Sequence, residues 1–221
     1  MHCELRELDI RVSRKRVARV MRSLGLSGWT RRRYLGKATA VPFPPLPDLV
    51  RRNFTPSGIN QLLVADITYI RTWEGWLYLA VVMDCFSRRI VGWSMATHLR
   101  TELVVEALEM AVTHRRPTAG TIFHSDRGCQ YTSMAFGKAL RDSGLVQSVG
   151  RPATCWDNIV AESFFATLKK ELIYRRTWPR RLDLQTAIFE YIEVFYNRRR
   201  RHSTLGYLSP SDFEQRYAPV A

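Results

Sequence analysis

Three carboxylates in this sequence have the types and spacing of a site for divalent metal ions: Asp66, Asp126 and Glu162, with 35 residues between the last two. Mg²⁺ and Mn²⁺ prefer carboxylate and water oxygens to nitrogen or sulfur ligands. Two such ions about 4 Å apart can hold both the attacking and the leaving oxygen of an in-line displacement at phosphorus. In a chain of formal charge +14, the three acids therefore indicate phosphoryl transfer on DNA.

Each of these carboxylates has an ordinary interpretation when it is taken alone. Asp66 lies within an apolar strand pattern, where a carboxylate must be paired, bound to a metal or shifted in pKa. Hydrogen bonds from backbone amides would meet this need without any metal. Asp126 follows a strand pattern and could be a turn residue. Glu162 and Lys169 fall on the same side of a predicted helix, two turns apart, and could simply face solvent. The residues by themselves leave these alternatives open.

The charge balance favours a polyanionic partner. Lys and Arg number 34 against 20 Asp and Glu, which favours nucleic acid over a small metabolite. The four cysteines have no Cys-x-x-Cys spacing, so the pattern predicts reduced thiols of a cytosolic protein and not a zinc knuckle or a disulfide framework. The longest apolar run, at 77–83, is far too short to span a bilayer. No membrane partner is expected.

The first 40 residues are rich in Arg and predict a basic helix. Ser13 is a suitable N-cap, Gly25 a suitable stop, and apolar residues recur on one face between them. Arg14, Arg16 and Arg19 lie on the polar face and are candidates for phosphate contact, with a solvated basic helix as the alternative. Four prolines within 41–47 then predict an extended linker and a domain boundary.

The middle of the chain predicts an α/β domain. Strand patterns occupy 62–70, 76–84, 89–95, 121–125 and 145–149. Thr101 is predicted to cap a first helix, and further helical patterns begin near Ser133 and before Glu162. This order, βββαβαβα, is typical of a mixed five-stranded sheet flanked by helices.

The C-terminal part predicts a basic helical extension. Its Arg clusters include Arg198, Arg199 and Arg200, which suit phosphate contacts that should weaken steeply with salt. An apolar stripe on the same extension is expected to pack on the core and comprises Leu184, Ile188, Tyr191, Ile192 and Phe195.

Several motifs together carry a family resemblance. The segments 63–70, 82–93, 124–131, 156–158, 161–165, 196–206 and 209–210 resemble the integrase core and C-terminal end of insertion-sequence transposases of the IS3 family. The resemblance implies an RNase H-like fold and places the family's DDE triad on Asp66, Asp126 and Glu162. It places the family's basic residue on Lys169. It also implies two Mg²⁺ or Mn²⁺ ions, double-stranded transposon-end and target DNA as substrates, and a homo-multimer on that DNA.

Further candidates accompany the triad. Asn158 and His124 could contact substrate or orient ligands, although a packed core histidine is at least as good an interpretation of His124. Asp84, at the end of the second predicted strand, is the rival carboxylate for the triad. The expected location is the bacterial cytoplasm, in association with the nucleoid.

The resemblance also gives a domain division. We expect a partial helix-turn-helix-like segment at 1–40, a Pro-rich linker at 41–58, the catalytic core at 59–175 and the basic extension at 176–221. Family members usually carry further N-terminal helices, so the chain is expected to be shortened at its N terminus.

Three functions follow from these features. The first is an active transposase, the second a structure-specific or RNA-cleaving nuclease on the same fold, and the third a DNA-binding remnant without catalysis. The Glu162 to Lys169 helix and the basic extension favour the first over a ribonuclease.

Overall fold

The computed structural model describes residues 1–26, 46–150 and 159–217. The chain divides into two compact units, Met1–Gly36 and Lys37–Ala221. In the first unit, helix α1 spans His2–Glu7 and helix α2 spans Arg14–Ser23. The Ser13 hydroxyl accepts a hydrogen bond from the Arg16 backbone N–H at 3.2 Å, which confirms the predicted N-cap. Helix α1 was not predicted from the sequence.

The second unit contains a five-stranded mixed sheet. The strands are β1 (Leu62–Thr72), β2 (Gly75–Asp84), β3 (Ile90–Ala96), β4 (Ile122–Ser125) and β5 (Val146–Val149), in the order β3-β2-β1-β4-β5. The first three strands form an antiparallel meander, while β1 pairs with β4 and β4 with β5 in parallel. The predicted mixed five-stranded sheet is confirmed.

Helices cover both faces of this sheet. Helices α3 (Thr101–Arg115) and α4 (Met134–Asp142) pack on one face, and α5 (Ile159–Glu171) and α6 (Arg181–Glu190) on the other. Gly92 of β3 allows α3 to approach closely, because a Cβ at this position would lie 2.8 Å from the Cβ of Ala111. The prediction that Thr101 caps α3 was wrong: Thr101 is already helical, and Arg100 occupies the N-cap without a side-chain bond.

The apolar core has one layer on each side of the sheet. Leu63, Ala65 and Val82 point toward α3 and α4, while Val64, Ile70 and Val81 point toward α5 and α6. This alternation follows the two-residue period of a strand buried on both faces. Position 66 shares its parity with Val64 and therefore faces the α5 side.

The C-terminal extension is built into the second unit. After α6 come a π-helical turn (Tyr191–Tyr196), a 3₁₀ turn (Ser203–Leu205) and helix α7 (Pro210–Tyr217). The expected core packing is confirmed for Leu184, Ile188, Tyr191 and Ile192, which are buried. It was wrong for Phe195, whose surface is 42% exposed, because the wider π turn changes the angular spacing that an α-helix would give.

The side chain of Asn197 joins this extension to the edge of the sheet. Its carboxamide accepts a hydrogen bond from the Ile90 N–H and donates one to the Ile90 carbonyl, both at 2.9 Å.

Among the described helices, none combines the length and apolarity needed to cross a bilayer.

Candidate active site

Asp66 and Asp126 are brought together by the register of two parallel strands. Ala65 of β1 lies opposite Ser125 of β4, so the next residue on each strand is one of the two acids. Neighbouring strands are about 4.8 Å apart, and residues opposite each other in a sheet point to the same face. The two carboxylates therefore leave the sheet side by side, toward α5.

Helix α5 supplies the third acid from above this face. Val160, Phe164 and Leu168 are buried against the sheet, which fixes how the helix is rotated. Glu162 and Lys169 remain only partly exposed on the same helix. Both act electrostatically on the Asp66 carboxyl, the glutamate raising its pKa and the lysine lowering it.

The pKa of Asp66 is perturbed by its surroundings and by the other two acids. Burial and then the Asp126 carboxylate raise the pKa of Asp66 well above its ordinary value, and a 2.8 Å hydrogen bond from the Ile67 N–H only partly offsets them. Asp126 has exposed surface, but the surrounding protein atoms desolvate its carboxyl and raise its pKa, against a 2.9 Å hydrogen bond from the Gly128 N–H. Burial lowers the pKa of Lys169, while Asp66 opposes that change. A cation bound here would relieve the repulsion between the acids.

The donor chemistry fits a hard divalent cation. Asp66, Asp126 and Glu162 offer carboxylate oxygens alone, the ligands of Mg²⁺ and Mn²⁺. Within residues 1–26, 46–150 and 159–217, no three His, Cys, Asp or Glu side chains stand close enough to enclose a metal together. The three acids thus share an electrostatic field without forming a closed cage.

Asp84, the rival carboxylate for the triad, is held by structural hydrogen bonds and an ion pair. It is the last residue of β2, and its fully buried side chain accepts hydrogen bonds from the N–H groups of Asn60, Phe86 and Ser87 at 2.7, 2.8 and 3.1 Å. Arg115 adds an ion pair at 3.3 Å. Because its oxygens are occupied by these partners, Asp84 is poorly suited to replace Asp66 in the triad.

His124 is a packed histidine. It is buried in β4, its Nδ1 lies 2.9 Å from the Ser148 hydroxyl oxygen, and its ring meets Phe54 edge-on at 5.7 Å. The Ser148 oxygen already accepts a hydrogen bond from the Leu49 N–H at 2.9 Å, so its own proton is free to go to Nδ1. Asn158 lies outside the described residues.

The arginines predicted to contact DNA fall into two classes. Arg14, Arg16, Arg19, Arg198 and Arg199 are exposed. Arg200 is instead held by Glu171, with Nε 2.9 Å from Oε2 and Nη2 2.8 Å from Oε1. Its guanidinium is thus already neutralised by a carboxylate of the protein.

Two residues near the acids were missed as site residues by the sequence reasoning. Tyr131 is buried, and in the described part of the chain its hydroxyl has no hydrogen-bond partner; burial, Asp66 and Asp126 all raise its pKa. Arg127 follows Asp126 directly and bonds to two backbone carbonyls. Both lie in the motif 124–131, but the motif gives no sign of where their side chains point.

Asp66→Asn is expected to raise the thermal stability of the metal-free protein at pH 7. A carboxyl whose pKa is raised by folding destabilises the fold while ionised, and that penalty disappears as the pH falls through its folded pKa toward its unfolded value. An amide oxygen can still accept the Ile67 N–H bond. The midpoint Tm should rise by roughly 2–4 °C for each kcal/mol of penalty removed.

Calorimetry in a chelator from pH 4 to pH 8 measures this effect. The difference between variant and wild type should shrink toward pH 4. A variant that is less stable than wild type at pH 7 would show that Asp66 is instead a satisfied structural carboxylate.

Sequence comparisons match three parts of the chain to known families. Residues 56–155 and 162–217 each match an Integrase core domain family, and residues 1–34 match an HTH-like domain. The chain is 40% identical over its whole length to an insertion element IS600 protein of 31 kDa from Shigella sonnei, covering 82% of it. It is 38% identical to the transposase for insertion sequence element IS629 from Shigella sonnei, over 96% of the chain and 71% of the relative.

A further relative and two solved structures extend this comparison. Transposase InsF for insertion sequence IS3A of Escherichia coli (strain K12) is 40% identical over 96% of the chain and 74% of its own length. A chain of the simian T-cell lymphotropic virus intasome superposes with a TM-score of 0.58 at 17% identity, over 84% of this chain and 64% of that one. The HTLV-2 integrase catalytic core in complex with magnesium superposes with a TM-score of 0.53 at 14% identity, over 70% of this chain and 95% of that one. These structures show a shared RNase H-like fold.

Proposed function

The chain belongs to the IS3 family of insertion-sequence transposases, which act by DNA cleavage and strand transfer, and we propose that Asp66, Asp126 and Glu162 are its catalytic triad. The observation that carries this proposal is the pairing of β1 with β4, which places Asp66 and Asp126 next to each other on neighbouring strands. Asp66 and Asp126 follow paired positions on β1 and β4, and Glu162 on α5 acts on the same Asp66 carboxyl.

We further propose that two Mg²⁺ or Mn²⁺ ions occupy the triad during the reaction. Magnesium is present in the HTLV-2 integrase core that shares this fold, and the oxygen-only donor set suits the same class of ion. Bound divalent ions activate an oxygen nucleophile and stabilise the leaving 3′-oxygen. Binding would also remove the repulsion that raises the pKa of Asp66.

The side chains of the site would then have separate tasks. Asp66 and Asp126 on neighbouring strands and Glu162 on α5 would supply the oxygen ligands of the ions. Lys169, held near Asp66, would contact a DNA phosphate. Water serves as nucleophile for cleavage and a DNA 3′-hydroxyl for strand transfer, so the same arrangement performs both displacements without a covalent protein intermediate.

The partners follow from the same membership. We propose double-stranded transposon ends and target DNA as substrates, bound as a homo-multimer, in the bacterial cytoplasm near the nucleoid. The domain division stays as predicted: 1–40 for helix-turn-helix-like binding, 41–58 as linker, 59–175 as core and 176–221 as extension. Arg14, Arg16, Arg19, Arg198 and Arg199 would contact phosphates, as their exposure allows.

An assay with labelled DNA tests the proposed function. The substrate carries the genomic ends that flank the gene of this chain, with Mg²⁺, Mn²⁺ or Ca²⁺ in parallel reactions. Nicking at the 3′ ends and joining to target DNA is the expected result with Mg²⁺ or Mn²⁺. Cleavage of the RNA strand in a hybrid would instead identify a ribonuclease, and binding without cleavage a catalytically inactive remnant.

Gly128→Ala is expected to reduce cleavage by displacing Asp126. A Cβ at Gly128 would lie 2.9 Å from the Asp126 Oδ1, the same atom that accepts the Gly128 N–H. A shift of about 1 Å in a reacting group can cost roughly 100-fold in rate. Cleavage should fall by about that factor while DNA binding in Ca²⁺ is unchanged.

Gly137→Ala in α4 is the matched control, because its Cβ would meet nothing closer than 3.5 Å. If the Gly128 variant cleaves DNA as fast as the wild type, the position of the Asp126 carboxyl beside Gly128 does not matter for cleavage.

A further inference from the structure

Arg127 connects the segment that carries Asp126 to two other parts of the chain. Its Nε donates a hydrogen bond to the Gly150 carbonyl at 2.7 Å, and its Nη2 donates one to the Leu46 carbonyl at 3.1 Å. Gly150 directly follows β5, from which the chain continues toward α5 and Glu162. One guanidinium thus links the Asp126 segment to the backbone at the end of β5 and at Leu46.

The segment that contains Leu46 is itself bonded along β5. The Val149 N–H donates to the Pro47 carbonyl at 3.1 Å, and the Leu49 N–H donates to the Ser148 hydroxyl at 2.9 Å. We call residues 46–49 the edge strap. Val50, the next residue, is buried in the core, so the strap is anchored at its C-terminal end.

Asp126 has little other support of its own. It lies past the last paired residue of β4, is exposed, and receives one described hydrogen bond, from the Gly128 N–H. The Gly150 N–H donates to the Ser125 carbonyl at 3.0 Å, which ties β5 to β4 one residue before Asp126. Arg127, the residue after Asp126, adds two bonds beyond that tie, and these fix the direction in which the loop departs.

We propose that Arg127 is a positioning residue that, through the Gly150 carbonyl and the edge strap, holds Asp126 in place for catalysis. The inference rests on the proposed role of Asp126. The planar guanidinium reaches two carbonyls in fixed directions, which a lysine ammonium on a flexible stem does not reproduce. Both donors are directed at the protein's own backbone, so Arg127 acts on the loop and not on DNA phosphate.

The test compares Arg127→Ala and Arg127→Lys with Arg175→Ala in the full chain. Arg175 is an exposed arginine with one guanidinium bond to a carbonyl, 3.0 Å from Lys170, and serves as the matched control. For Arg127→Ala we expect kcat for end cleavage to fall about 10- to 100-fold with the KM for DNA within about twofold. The Mn²⁺ concentration for half-maximal rate should rise. Arg127→Lys should recover only part of the loss.

Two readouts separate positioning from a general loss of structure. Millimolar guanidinium or ethylguanidinium should restore part of the cleavage by Arg127→Ala but none by Asp126→Asn. Hydrogen exchange should become faster at the amides of Leu49, Val149 and Gly150 in Arg127→Ala, and stay unchanged elsewhere in the sheet and in Arg175→Ala.

Three results would overturn the proposal. They are wild-type kcat in Arg127→Ala, full activity in Arg127→Lys, and a raised KM with a smaller salt dependence of binding, which would mark a phosphate contact. Failure of the proposed function looks different, because the wild type would then not cleave DNA, or Asp126→Asn would cleave it as the wild type does. Hydrogen-exchange rates along the edge strap report on the contacts of Arg127 whether or not the protein cleaves DNA.

Discussion

Asp66→Asn, Asp126→Asn and Glu162→Gln are each expected to reduce DNA cleavage and strand transfer about a thousandfold or more. Each change removes one anionic ligand while keeping the shape of the side chain. Metal ions contribute several kcal/mol to stabilising the transition state of such a displacement, and about 4 kcal/mol corresponds to a thousandfold in rate. Single-turnover cleavage with Mg²⁺ measures the loss, and DNA binding in Ca²⁺ should remain close to that of wild type.

Two other acids provide the comparison. Asp142→Asn removes an exposed carboxylate of α4 that pairs with Lys138 and should leave cleavage unchanged. Asp84→Asn should lower the stability but preserve the rate of the protein that remains folded. If any triad variant cleaves at a rate near that of wild type, the assignment of that residue is wrong.

Arg115→Ala is expected to have the largest effect on stability. The guanidinium lies 2.6 Å from Glu214, 3.3 Å from Asp84 and 2.9 Å from the Asn60 side-chain oxygen. Both carboxylates are buried, and removing their cation leaves them uncompensated, which typically costs about 3–5 kcal/mol. At roughly 2–4 °C per kcal/mol for a domain of this size, the Tm should fall by about 6–20 °C.

The pH dependence gives an independent check on this network. Burial alone would raise the pKa of Glu214, but the bonds from Arg115, Ser87 and Arg89 lower it. A carboxyl with a lowered pKa adds stability above its unfolded pKa and loses it as the pH falls through the folded pKa. Without Arg115 the largest part of that contribution is lost, so the variant should approach the wild type in Tm as the pH is lowered from 7.

Arg180→Ala is the control for Arg115, since it breaks an ion pair with Asp183 that is largely exposed. Exposed pairs add little to stability, so its Tm should barely change. A similar Tm for the Arg115 and Arg180 variants would mean that Asp84 and Glu214 find other partners.

The strands could be predicted from the sequence because their patterns are strong. The run through Asp66 and the run that ends at Asp84 are rich in β-branched and aromatic residues, and both became long paired strands. The π-helical turn could not be predicted, since it differs from an α-helix by a single added residue in a pattern that is apolar on several sides. Phe195 was assigned to the core for this reason.

The site was predicted in type but not in its supporting contacts. Strand and helix settings for Asp66, Asp126 and Glu162 follow from local patterns and the family motifs. The bonds from Arg127 to Leu46 and Gly150, and from Arg200 to Glu171, join residues far apart in sequence. No local periodicity reports such contacts. They depend on how the completed chain packs.

The parallel pairing of β1 and β4 has a consequence for how the gene can vary. The spacing of Asp66 and Asp126 is set by the distance between neighbouring strands, so it does not depend on the long connection through β2, β3 and α3. Insertions and deletions in that connection could accumulate between relatives while the two acids stay together. One codon inserted within β4 would instead turn Asp126 to the opposite face.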